Sequence, residues 1–371
     1  MLKCQKLIPK QLKNFLKEHK YIFKIHDYKK YLNYLLIQNK KQFLTINDEK
    51  NWINKFNKAI CSNPEYINVA RDFMTADISV IKNEKVYDND IIAICVQKND
   101  LIKLEKFISH HRKLGIDKFI ILDNDSNDGS IEYLLKQKDV ILLQTKTTYT
   151  SSRRVGWINR IIAHYGYNRW YFIADSDELL VYNECENKSI KNVIAYCEKK
   201  NIIRARALMV DMYANKDYYA NGKIKDYYKN CIYFDADSYI ENKSSLFYNI
   251  SGGPRKRLFN ISPCLTKYPL VYFKKKDIYI KSHFLYPYKN NINTECNLIL
   301  KHYKFLPGEL NKYKEIANKG NYYNGSAEYK RYVDFYENNS IIDFIYYGTK
   351  KYNNSNSLNL IKKYNKIDWD N

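Results

Sequence analysis

A chain of 371 residues with 45% apolar and 15% aromatic residues can bury a sizeable core, which excludes disorder over most of it and suggests two units or one large core with additions. The formal net charge of +22 fits nucleic acid, an anionic membrane face or phosphorylated substrates, but abundant Lys, Asn, Ile and Tyr together are also what an AT-rich coding sequence produces, so charge alone selects none of the three. Eight scattered cysteines without a C-x-x-C pair indicate neither a zinc site nor a disulfide framework, and no run of about 18 uncharged apolar residues exists.

The first twenty residues, MLKCQKLIPKQLKNFLKEHK, lack the apolar centre of a signal peptide, so the expected location is the cytosol. Residues 1–88 read as a helical extension, with Leu12, Phe15 and Leu16, then Tyr31, Leu32, Tyr34 and Leu35, at helix-like intervals among lysines. From Asp90 the texture changes. IIAICV is a β-branched strand, LIKLEKFISHHRKLG a helix stopped by Gly115, KFIILD a second strand, NDSNDGS a loop, and SIEYLLKQ a short helix opened by Ser130. VILLQT is a third strand, RRVGWINRIIAHYG a helix, RWYFIAD a fourth strand, and IIRARALMVDMY a later strand ending at Asp211. Strands alternating with helices of these lengths specify βαβ units and a mostly parallel α/β sheet. The expected division is 1–88 for the helical extension, 89–308 for the α/β domain, and 309–371 for a helical C-terminal region with a polar tail at NNSNSLN.

Ligands of such sheets bind beyond the carboxyl ends of the strands. Three groups should therefore share one rim: Gln97 to Asp100, the acids and amides of Asp123 to Asp128, and Asp175, Asp177 and Glu178. Two carboxylates two residues apart can reach one hard cation, and oxygen ligands suit Mg²⁺ or Mn²⁺ with positions left for phosphate oxygens. A solvated turn with an Asp capping a helix over ELLVY would explain one acid and not three. An EF-hand at DNDSNDGS fails, because Gly129 falls one residue late and the twelfth position is Leu134. Arg153 and Arg154 at a helix start, and Arg255, Lys256 and Arg257 in SGGPRKRLF, suit either a diphosphate or a basic surface turn. His302 in LILKHYKFL and His283 in KSHFLYP stand in apolar settings, where packing is the ordinary role and a metal the alternative.

Together, ICVQKND, FISHHRKLGIDKFIILDNDSNDGS and RWYFIADSDELL resemble the bacterial family 2-like glycosyltransferases, in the branch whose pattern runs K-N-E, H-H-x-x-x-G, D-N-x-S-x-D-G and D-x-D-E. VDMY, GGPRKRLF and LTKYPL also look like that branch, and the likeness spans about residues 64 to 307. The resemblance implies a GT-A fold, a Rossmann-like sheet with flanking helices that takes a nucleotide diphosphate sugar as donor. By it, Asp175 and Asp177 match the acids that hold a divalent metal, Mn²⁺ or Mg²⁺; His302, taken from its own setting, is the further candidate ligand. Asp123 matches the acid that recognises the base, with Asn124 and Asp125 beside it, and Val96, Lys98 and Asn99 lie at the nucleotide edge. Arg153 stands where the larger family often has an arginine, and Arg255 and Arg257 are expected at the diphosphate. Asp100 departs from the usual Glu, and Arg154 from a common Asn.

The resemblance further implies inverting transfer to a glycan or lipid-linked acceptor, as in surface polysaccharide synthesis. Such transfer needs charge neutralised on the leaving diphosphate and one general base. Asp211 is the first choice as base, with Glu178 and Asp237 in reserve. Two other readings compete. A sugar nucleotidyltransferase would carry a Gly-rich phosphate loop where this chain has VQKNDLIKLE, and a nucleic-acid-binding protein would gather its basic and aromatic residues on one element, whereas here they are spread. Nucleic acid is thus not an expected partner, and the positive charge suits peripheral contact with the anionic inner face of the cell membrane.

Overall fold

The computed structural model describes residues 28–38, 44–243, 248–291, 295–339 and 342–370. The helix expected around Leu12, Phe15 and Leu16 lies outside the described residues. Helices α1 (Lys29–Gln38), α2 (Glu49–Ser62) and α3 (Ile67–Met74) lead into an edge strand, β1 (Ser79–Lys82). The stretch read as wholly helical therefore ends in a strand, where SVIK pairs antiparallel with VILLQ. The central series follows as expected: β2 (Ile92–Gln97), α4 (Leu101–Lys113), β3 (Lys118–Asp123), α5 (Ser130–Leu135), β4 (Val140–Gln144), α6 (Ser151–Tyr165) and β5 (Arg169–Ile173). Gly115 has φ 96°, the left-handed conformation that ends a helix at little cost.

Next come β6 (Glu178–Val181), α7 (Ile190–Lys199) and β7 (Arg204–Asp211), then β8 (Tyr233–Asp235), β9 (Tyr239–Lys243), β10 (Tyr248–Gly252), α8 (Gly253–Phe259) and β11 (Thr266–Phe273). The chain closes with β12 (Ile278–Lys281), β13 (Phe284–Tyr286), β14 (Leu298–His302), α9 (Leu310–Lys319), α10 (Tyr323–Asn338) and β15 (Thr349–Lys351). The main sheet runs β1-β4-β3-β2-β5-β11-β7-β14-β6. By their pairings, β2, β3, β4, β5, β7 and β14 point one way, and β1, β6 and β11 the other. This is the mostly parallel α/β sheet that the sequence reading expects.

Both faces of the sheet are covered, which is why its central strands read as unbroken apolar runs. Ile92 and Ile94 face a core shared with α1, α2, α3 and α6, in which Trp52 stacks on Phe73 at 4.8 Å. Their neighbours Ala93 and Cys95 face a second core with Leu104 and Phe107 of α4 and Val193 of α7. Alternation of side chains along a strand divides the two cores. The N-terminal helices are thus one of the layers that bury the sheet. The tail read as polar also packs: Leu358, Ile361, Tyr364 and Ile367 recur every third residue and are buried in the second core.

One rim gathers the functional groups. The carboxyl ends of the six like-directed strands lie there, and so do the amino ends of the opposed β6 and β11. Register makes this specific: His302 pairs across with Asp211 on one side and Glu178 on the other, and Asp123 sits between Gln97 and Gln144.

Candidate active site

Asp177 and His302 form the heart of the cluster. His302 Nε2 lies 3.4 Å from Asp177 Oδ2, and Nδ1 lies 2.6 Å from Asp211 Oδ1 and 2.7 Å from Arg255 Nη2. Arg255 already holds Asp211 through two bonds, Nε to Oδ2 at 2.9 Å and Nη2 to Oδ1 at 2.8 Å. The Nδ1 proton is therefore assigned to the bond with Asp211, which turns Nε2 toward Asp177. One atom each of Asp177, Glu178 and His302 lies within 4.8 Å of the others. Two carboxylates and an imidazole backed by a carboxylate fit Mn²⁺ or Mg²⁺ in donor type.

The first acid stands differently. Asp175 Oδ1 accepts from Arg154 Nε at 3.0 Å and Nη2 at 2.6 Å, and Oδ2 accepts from Lys267 Nζ at 3.0 Å. Lys267 also pairs with Glu178 Oε1, whose other oxygen takes the Asp175 N–H at 3.1 Å. Burial works against charge on Asp175, but Arg154 and Lys267 outweigh it and hold the carboxyl well below the usual range. Burial likewise pushes Glu178 up, with Lys267 opposing. Asp175 thus faces two buried cations, one of which, Lys267, it shares with Glu178, and the group within reach of one ion among the described residues is Asp177, Glu178 and His302. One N–H remains over: Arg154 Nη1 is buried without a hydrogen-bond partner among the described residues.

Asp211, the expected base, has both carboxylate oxygens engaged by Arg255 and His302. It is 1% exposed, and although burial would raise its pKa, the Arg255 charge and the His302 hydrogen bond bring it to about 2. Its role here is to fix two other side chains. Of the reserve acids, Glu178 is buried against Lys267, and Asp237 lies exposed between β8 and β9, bonded to the Tyr346 hydroxyl. Arg255, expected at a diphosphate, instead joins Asp211 to Glu328, with Nη1 3.0 Å from Oε1. Arg257 is spent on Asp235 and the Phe344 carbonyl, with its guanidinium 4.1 Å from the Tyr346 ring.

At the other end of the rim, Asp123 is fully buried and holds its own loop, with Oδ1 on the Ser126 N–H at 2.9 Å and Oδ2 on Gln97 Nε2 at 2.5 Å. Asn124 ties down the Thr145 and Thr147 carbonyls, while Asp125 is exposed at φ 63°. Val96 is buried, and Lys98 and Asn99 are exposed beyond it. Asn99 Oδ1 takes the Asn127 N–H at 2.8 Å, linking the first loop to the second. Arg153 bonds the Thr148 carbonyl. Asp100 accepts from the Ser176 hydroxyl and from Lys312, and lies 3.4 Å from Lys103. His283 packs with Nδ1 on the Thr266 carbonyl, and burial lowers its pKa to about 3.

Sequence reasoning passed over Lys267, Lys103 and Lys304. Each left a signal, a lysine beside apolar or aromatic residues: LTKYPL, LIKL and HYKFL. Buried lysines need acids. Lys103 finds Glu309 at 2.9 Å, and Lys304 reaches the Tyr329 hydroxyl at 2.5 Å in the field of Glu328 and Asp177.

No protein-family model and no curated protein matches the chain. Among solved structures, one similar chain is the mannosyltransferase PcManGT from Pyrobaculum calidifontis, in complex with GDP-Man and Mn²⁺, at 10% identity and TM-score 0.25. That match covers 53% of this chain, which spans about half, 49%, of PcManGT. Another is HddC from Yersinia pseudotuberculosis, at 7% identity and TM-score 0.28, over 50% of this chain and 77% of that one.

Proposed function

We propose that this chain is a glycosyltransferase that moves a sugar from a nucleotide diphosphate sugar to an acceptor hydroxyl, with Mn²⁺ or Mg²⁺ held by Asp177, Glu178 and His302. The observation that carries the reading is the set of three ligand atoms within 4.8 Å of one another at the carboxyl rim of a mostly parallel sheet. Such a cation, when bound, neutralises charge on the leaving diphosphate. The chain's own groups serve the same end. Arg154 Nη1, beside Asp175 and without a hydrogen-bond partner among the described residues, is the donor assigned to a phosphate oxygen, and Asp211 sets the His302 ring so that Nε2 faces the metal position. The motif resemblance to family 2-like glycosyltransferases supports inverting transfer within surface polysaccharide synthesis. A glycan or lipid-linked acceptor, approached at an anionic membrane face, agrees with the net charge of +22.

Calorimetric titration with UDP, GDP, CDP and ADP, with and without Mn²⁺, tests the reading on the wild-type chain and on Asp177→Ala. One diphosphate should bind in a Mn²⁺-dependent way and about tenfold or more weakly in the variant. Folded wild-type protein that binds none of the four under either condition would sink the proposal.

A further inference from the structure

The helical hairpin α9–α10 lies outside the stretch that resembles known transferases, yet ion pairs hold it against the acidic rim. Lys103 Nζ meets Glu309 Oε1 at 2.9 Å, Lys312 Nζ reaches Asp100 Oδ1 at 3.3 Å, and Arg255 Nη1 reaches Glu328 Oε1 at 3.0 Å. These pairs set the turn between the two helices against the loop ahead of α6. There Asn321 Nδ2 donates to the Tyr149 carbonyl at 3.1 Å, and the Tyr149 and Tyr322 ring centroids stand 4.8 Å apart. Tyr322 and Tyr329 follow at 5.2 Å. The phenols lie in the field of the crevice acids: Asp175 acts on Tyr149 and Tyr322, and Asp177 on Tyr322 and Tyr329. Tyr149 and Tyr322 are half-buried, and neither hydroxyl has a hydrogen-bond partner among the described residues.

An apolar ring face beside unpartnered phenols and carboxylates matches the two-sided chemistry of a pyranose, whose C–H face packs on an aromatic ring while its hydroxyls need donors and acceptors. We propose that Tyr149 and Tyr322, backed by the buried ring of Tyr329, form a pyranose-binding wall, which the C-terminal hairpin adds to the rim. The proposal rests on reading the crevice as a nucleotide-sugar site. The ring could belong to the donor or to the acceptor, and the test separates them.

Full-length wild type, Tyr322→Ala and Tyr322→Phe are titrated with UDP, GDP, UDP-glucose and GDP-mannose in the presence of Mn²⁺. The same proteins are examined by saturation-transfer NMR with methyl β-glucopyranoside and methyl α-mannopyranoside. If the donor sugar uses the wall, Tyr322→Ala weakens the nucleotide sugar about threefold to tenfold and leaves its nucleoside diphosphate unchanged, while Tyr322→Phe, which keeps the ring and loses the hydroxyl, falls between Tyr322→Ala and wild type. If the acceptor uses it, nucleotide-sugar affinity holds while the glycoside signal disappears in Tyr322→Ala and persists in Tyr322→Phe. Unchanged nucleotide-sugar affinity and glycoside signal in Tyr322→Ala overturn the wall and leave the transferase reading intact. Wild-type protein that binds no nucleotide counts against the transferase reading, and the glycoside arm then decides the wall: loss of signal in Tyr322→Ala supports it, and no signal from wild type overturns it.

Discussion

At the scale of single residues, the crevice is organised by which cation each acid meets. Asp175 is neutralised by Arg154 and Lys267, whereas among the described residues Asp177 has the His302 imidazole at ion-pair distance and Lys103 and Lys304 farther off, so the two acids of one D-S-D triplet carry different charge environments. Asp211 shows the same logic in the deeper layer. Its folded carboxyl sits at about 2, below the value of about 3.9 for an unfolded chain, so its stabilising contribution is present above pH 4 and is lost as pH falls through 2. Asp211→Asn should remove that acid-side slope and leave Arg255 undercompensated, at a cost of about 3 kcal/mol in urea unfolding at pH 7. Arg255→Met combined with Asp211→Asn should recover part of the loss. Wild-type stability in the single variant would mean that the pair holds nothing together.

At the scale of elements, two of the three strands that run against the rest bring groups to the rim that a wholly parallel sheet would leave at the far end. β11 delivers Lys267 and β6 delivers Glu178, each from its amino end. Helix α6, which carries Arg153 and Arg154, is held by close contact with α3 at Gly156. A Cβ there would meet the Asp72 carbonyl carbon and the Phe73 nitrogen at 2.8 Å, and backbone atoms cannot swing aside as a side chain would. Gly156→Ala should therefore cost about 1 to 3 kcal/mol and lower the urea midpoint, despite the better helix propensity of alanine. A midpoint at or above wild type would show that the two helices part without strain.

At the scale of the whole molecule, charge and apolar surface point in different directions. Among the described residues no helix is long and apolar enough to cross a membrane, while the chain carries a net charge of +22. Flotation with phosphatidylglycerol vesicles is the expected behaviour at low salt, with release at about 0.5 M salt, where the Debye length falls below about 5 Å. Equal flotation with neutral phosphatidylcholine vesicles, or none with either lipid, would remove the electrostatic account.

The sequence by itself determined the local elements and where the acids leave them. IIAICV, KFIILD, VILLQ and RWYFI are strands because β-branched and aromatic runs bounded by turn residues allow little else, and Asp123, Asp175 and Asp177 had to follow their ends. Tertiary structure alone decided the partners. ELLV became strand β6 and no helix, because its four residues find β14 for a neighbour. Asp211 was legible as a strand-end acid but not as the holder of Arg255, 44 positions on, and no local pattern joins Asp175 to Lys267 across 92 positions. Likewise the spacing of Leu358, Ile361, Tyr364 and Ile367 shows a buried side within a polar tail only once the sheet supplies the surface to bury it. Backbone propensity acts over a few residues and is written in them. Neutralisation of a buried charge depends on which distant segments the fold brings within about 4 Å, and that distance is set by the path of the whole chain.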